Sequence, residues 1–415
     1  MALFSKKLRT FFASIAPGFF MIGYVIGTGS VTTMAVSGAR YGMSLTWALL
    51  LSCIFTAFLL IAISRLTIVS GHTLLNDIKT HVHPALAVLI IIGLMISVIS
   101  SIMGVTAIVA EVFQEWTKPI TNNNEGVAPV VTSIVLLGIL YGLFWNGRHK
   151  TFINILSLMV GLMALCFVGT MFMVMPPSTE ILKGLIPSIP GAGSPYLVIG
   201  GMVGTTMASV CLISRSTLVK EQGWGMKDLK IEQRDSIIAM ALTFFISASI
   251  IAAATGTLHV QGIHVDNAVE MLYTLKPLAG RFAVAVFAIG ILCAGFSSLF
   301  PNMVIFPWLL NDYRGEDKPM KSSFFRILVL VITLTGLTIP VFGGKPVMLM
   351  VASQAVSPLI LPILIGVIIY LLNHKKVVGE YRLGKFFQFI LYFTLVFSVI
   401  MGVIAFKGFI ELFTT

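Results

Sequence analysis

The sequence predicts an all-α integral membrane fold of eleven transmembrane helices, and three observations carry that expectation. Of 415 residues, 57% are hydrophobic and only 10% are charged, whereas a soluble domain carries about 25% charged residues. Apolar runs of at least ~18 residues recur from end to end, the length a helix needs to cross a bilayer. Two of those runs are interrupted near their middles, one by Gly27-Thr28-Gly29-Ser30 and the other by Gly204-Thr205-Thr206.

Taken in order, the expected spans are 12–38, 43–69, 84–113, 127–145, 151–175, 195–219, 232–258, 280–310, 322–341, 346–373 and 385–410. The first follows Lys6, Lys7 and Arg9 as a signal peptide would. Its apolar run is too long for one and no small-residue cleavage site closes it, so it is expected to be retained. Segment 176–194, with Pro176, Pro177, Pro187 and Pro190, reads as an ordered external loop leading into the sixth span. No long polar linker divides the chain, so residues 1–415 are expected to form one transmembrane domain. Its first repeat covers about 12–175 and its second about 195–373, inverted because each holds five spans, with the eleventh helix, about 385–410, appended.

The net charge of +11 is a record of topology and does not point to nucleic acid. With a cytoplasmic N-terminus, 20 of the 27 Lys and Arg residues fall on the inner side, which sets the orientation by the positive-inside rule. The odd number of spans then puts the C-terminus outside, in a multi-pass protein of the plasma (inner) membrane. Cys53, Cys166, Cys211 and Cys293 each stand alone in an apolar span and suggest packing, with no zinc site or disulfide framework. No nucleophile–base pair or cofactor motif lies near the interruptions, so neither an enzyme nor a bound cofactor is expected.

Backbone in a bilayer has no water to bond, so an unwound segment survives there only when buried in protein or lining a wet cavity. Two such breaks in corresponding helices of two repeats mark the binding site of a secondary transporter. Residues Gly27, Thr28, Ser30, Thr205, Thr206, Met207, Ala208 and Ser209 are expected to line it. Freed carbonyls and hydroxyls suit hard cations, and freed N–H groups suit an anion. Composition leaves both open, and the partner is a small ion or small molecule.

Several stretches resemble the Nramp family of divalent-metal transporters. They are Ala16-Pro17-Gly18-Phe19 through Gly38-Ala39-Arg40-Tyr41-Gly42, Arg65 through Gly71, and Asp235-Ser236 with Phe244-Phe245. Phe287 through Gly290, Ala294 through Ser298, and Ser353-Gln354 with Leu361-Pro362 continue the match in family order. The resemblance implies the LeuT-type fold, with helices 1 and 6 broken and alternating access between a scaffold and moving helices.

At the working positions the chain departs from that family. Where the family carries Asp-Pro-Gly-Asn, this chain reads Gly27, Thr28, Gly29 and Ser30, so the metal-binding Asp is a glycine. The family's Met-Pro-His aligns with Ala208, Ser209 and Val210, its acidic pair on the third helix with Val98 and Ser101, and its tenth-helix glutamine with Ile360. Without the thioether, a preference for soft transition metals loses its basis, unless a one-residue slip brings Met207 to the cavity. A standard proton-coupled manganese or iron carrier is therefore not expected. The resemblance and the neutral site together suggest carriage of a hydrated divalent ion such as magnesium. An amino-acid or other small organic solute carrier of the same fold is the alternative, and a receptor-like scaffold that does not transport is a third.

Overall fold

The computed structural model describes residues 25–119, 121, 125–146, 165, 168–169, 171–191, 194–265, 270, 276–315 and 322–414. The first span before Val25 and residues 151–164 of the fifth lie outside the described residues. Among those described there is no strand. The membrane helices are α1 (Thr28–Tyr41) and α2 (Thr46–Ser70), the short helix α3 (Leu74–His81), then α4 (Pro84–Thr117) and α5 (Pro129–Asn146). They continue as α6 (Tyr196–Thr206), α7 (Ser209–Glu221), α8 (Leu229–Ala254), α9 (Lys276–Arg314), α10 (Ser323–Leu334), α11 (Pro346–Ala355), α12 (Ser357–Asn373) and α13 (Lys385–Thr414).

Two departures from the expected spans are informative. The tenth, expected as one helix over 346–373, is two helices parted at Val356. The ring of Pro358 lacks the N–H that would bond the carbonyl of Gln354 four residues earlier. The second departure lies in the sixth span, whose interruption falls three residues beyond the expected Gly204-Thr205-Thr206, at Met207-Ala208.

Burial separates lipid-facing from central elements. Across the apolar window of α6–α7, 89% of residues are buried inside the protein, against 39% for α13. α13 turns Phe386, Phe389, Phe393, Val403 and Phe406 outward, the expected dress of a helix against lipid tails. α6 sits against α1, α2, α11 and α13, while α8 packs on α1 and α2, and α4 packs on α9 and α11. Small residues permit these approaches, as they do between membrane helices generally. A Cβ at Gly38 of α1 would stand 2.5 Å from the carbonyl of Ile251 in α8.

The chain turns from α2 to α3 through Gly71, whose φ of 73° is a left-handed helix end that glycine adopts without strain. α3 lies outside the spans yet holds a fully buried carboxylate, Asp77, 3.6 Å from Nδ1 of His81. Neither oxygen of Asp77 has a well-formed hydrogen bond among the described residues. Burial pushes its carboxyl above the ordinary 3.8, and the Ser70 hydroxyl and the charges of His81 and His72 pull it partly back. A raised folded-state value means that the native protein binds this proton more tightly than the unfolded chain does. Stability is therefore lost as pH rises from 3.8 through the raised value, and the ionised form weighs against folding at neutral pH. Asp77→Asn is expected to raise the melting temperature at pH 7, with the gain vanishing below about pH 4. Thermal unfolding of the detergent-solubilised protein at several pH values checks this.

Candidate functional site

The first break is a single extended step. Val25 is helical, Ile26 and Gly27 are not, and α1 starts at Thr28 with Gly27 as its N-cap at φ −90°, ψ −176°. Gly29 and Ser30, placed in the expected interruption, are the second and third residues of α1. The first N–H groups of a helix have no partner within it. That of Thr28 donates to Oγ of Ser298 in α9 at 3.0 Å, while Gly29 and Ser30 face a cavity. Gly29 matters for its missing side chain: a Cβ there would lie 2.4 Å from Nε2 of Gln354.

At the second break, Met207 leaves the helix at φ −94°, ψ 40°, and Ala208 is extended at φ −56°, ψ 118°. α7 then starts at Ser209, whose N–H donates to Oγ of Ser357 at 3.0 Å, with the two hydroxyls 3.1 Å apart. The last carbonyls of α6 are partly satisfied: Met207 N–H donates to Val203 O at 2.8 Å, and Thr56 Oγ1 donates to Thr206 O at 3.4 Å. Gly204 and Thr205 line the cavity. A Cβ on Gly204 would stand 1.9 Å from the carbonyl of Gln354, the group that Pro358 has released. This is backbone against backbone and cannot yield cheaply. Gly204→Ala is expected to cost about 1–3 kcal/mol by overpacking, read as a lower melting temperature together with reduced uptake in vesicles.

Both breaks open on one cavity of about 50 Å³, room for only a few waters at roughly 10–15 Å³ each. Of the residues expected from sequence, Gly27, Ser30, Thr205, Ala208 and Ser209 line it. Thr28, Thr206 and Met207 are not among the lining residues. Thr28 is buried beside Ser298, Thr206 turns its hydroxyl back to Met202 O at 2.9 Å, and Met207 is fully buried in the core. The cavity thus gains no sulfur from Met207. Val98, Ser101 and Ile360, at the positions where the resemblance implies acids and a glutamine, also line it.

Two amides that the sequence reading left out complete the wall. They are Gln354, at the end of α11, and Asn302, whose Nδ2 donates to Ser101 Oγ at 3.3 Å. Pro301, next to Asn302, and Pro358, four residues after Gln354, were the available signals. No charged side chain lines the cavity among the described residues. Beside the apolar Val25, Leu94, Val98, Val210 and Ile360, its wall holds hydroxyls, two amides, the N–H end of α1 and the C=O end of α6. The Ser30 hydroxyl is buried and has no hydrogen-bond partner among the described residues.

Comparison with known proteins gives a consistent picture. The profile of the natural resistance-associated macrophage protein-like family matches residues 18–406. A divalent metal cation transporter, MntH, of Caldanaerobacter subterraneus is 24% identical over 387 residues, covering 90% of this chain and 88% of that protein. The protein of the same name from Brucella suis is 23% identical over 414 residues, covering 96% and 88%. Among solved structures, the manganese transporter of Eremococcus coleocola superposes with a TM-score of 0.73 at 14% identity, covering 96% of this chain and 87% of that one. Mhp1, a nucleobase–cation symport-1 transporter in a closed conformation, superposes with a TM-score of 0.61 at 14% identity, covering 95% and 90%. Likeness at this identity speaks to the fold alone, which is of the LeuT type.

Proposed function

Because the chain belongs to the natural resistance-associated macrophage protein (Nramp) family, matched over residues 18–406, we propose that it carries a divalent metal cation through this cavity by alternating access. It is a multi-pass membrane protein and not an enzyme. The cation passes with part of its water shell in place. A bare divalent ion would lose more hydration than neutral dipoles return, and magnesium in particular keeps several waters in its sites. The carrying observation is a chamber without charged side chains at the junction of two broken helices, with the Ser30 hydroxyl buried beside it and without a hydrogen-bond partner among the described residues.

Gln354 and Asn302 offer carbonyl oxygens, Ser30 and Ser209 hydroxyls, and Gly204 and Thr205 main-chain carbonyls. All are hard ligands, and none selects for thiophilic metals. The chamber's roughly 50 Å³ is far below the ~300–1,000 Å³ of ordinary small-molecule pockets, which weighs against an organic solute. The positive-inside rule places the N-terminus in the cytoplasm and the C-terminus outside. Proteoliposomes loaded with metal-sensitive dyes test the reading. Influx of magnesium and manganese with little preference between manganese and cadmium is expected, and absence of influx for every divalent metal overturns it.

A further inference from the structure

At the end of the molecule predicted to be cytoplasmic, away from the chamber, Arg215 of α7 is fully buried, as are the side chains of Glu232 and Asp235 in α8. Sequence alone puts Arg215 among the inner charges, whereas the structure buries it against the carboxyl groups of α8. Nη1 of Arg215 donates to Asp235 Oδ2 at 2.8 Å and Nη2 to Glu232 Oε1 at 3.3 Å. Its Nε donates to Ser64 Oγ of α2 at 3.0 Å, and Nη2 also reaches Ser236 Oγ at 3.1 Å. The ring of Trp224 stacks 5.4 Å away.

One guanidinium thus serves two carboxyl groups, unequally. Asp235 takes the short contact. Glu232 takes the long one, with a hydrogen bond from the Ser236 hydroxyl to Oε1 at 2.8 Å, and its Oε2 has no hydrogen-bond partner among the described residues. The other groups facing Glu232 or its arginine are the Ser64 hydroxyl of α2 and the Cys211 thiol of α7, while Arg234 on its own helix is exposed. An ionised oxygen buried away from bulk solvent and without a protein donor is disfavoured, whereas the oxygen of a neutral acid in the same place is not.

We propose that Glu232 is a proton-binding site, neutral while α7, α8 and α2 are joined through Arg215. When α7 withdraws, water reaches Glu232 and its proton passes to that water, leaving a carboxylate. Rejoining of the helices requires that a proton be taken back from the same side. Coupling of this exchange to metal movement rests on the transport reading above; the site itself does not.

Infrared spectra of the protein in lipid, titrated with pH, test the site without any transport. The expected result is a carboxylic-acid carbonyl band at neutral pH that is lost in Glu232→Gln and shifted in Ser236→Ala, which removes the hydrogen bond to Oε1 together with the one Ser236 accepts from Arg215 Nη2. A band unchanged in both variants overturns the proposal. Should Glu232→Gln fail to fold, the presence or absence of the Ser236→Ala shift decides. For coupling, Glu232→Gln is expected to lose the pH dependence of metal uptake, and an unaltered pH profile overturns that part.

Discussion

Gly27→Asp combined with Ala208→Met is expected to create manganese binding at least about tenfold tighter than that of the unmodified chain, or about 1.4 kcal/mol. Both positions line the chamber, and both lie in extended steps that impose no positive φ. Asp is moreover a favoured N-cap residue, so Asp at position 27 also suits the start of α1. The carboxylate supplies the formal charge that the chamber lacks, and the thioether supplies the soft donor that favours manganese or cadmium over magnesium. Calorimetric titration of the purified double variant checks this. No heat of binding in a folded double variant would mean that residues 27 and 208 do not face one ion.

Arg215→Met is expected to destabilise the protein by about 3–5 kcal/mol, the scale for removing one partner of a buried ion pair. The loss falls on Asp235, whose short bond from Nη1 of Arg215 is removed in a site with no exposure. Arg215→Met with Asp235→Asn removes the charge together with its partner and is expected to recover most of the melting temperature in detergent. An equally unstable double variant would locate the effect in lost packing of the arginine stem, including its face on Trp224.

The architecture is legible because membrane helices announce themselves by length and apolarity, which no local rule contradicts. Gly27 is legible for a second reason, since it alternates with Thr28, Gly29 and Ser30 in an otherwise apolar run. The second break is harder. Gly204-Thr205-Thr206 shares the composition of the first break, yet here the glycine serves close packing against Gln354 and remains helical. The chain leaves the helix at Met207-Ala208, two good helix formers, so tertiary contacts override propensity there. Gln354 and Asn302 escape a search centred on the breaks because they lie on other helices, and only packing brings them to the chamber. Arg215 escapes because long-range pairing, invisible in a linear reading, decides whether an arginine at a helix end lies in water or in the core.

A passage lined without fixed charge also has an electrical consequence. On the transport reading, no charged side chain on the described wall would move through the field as the empty carrier resets. On that reading the occupied stroke would carry the ion's full double charge, and each elementary charge crossing 100 mV is worth about 2.3 kcal/mol. An interior-negative cell would therefore draw the ion inward by potential alone.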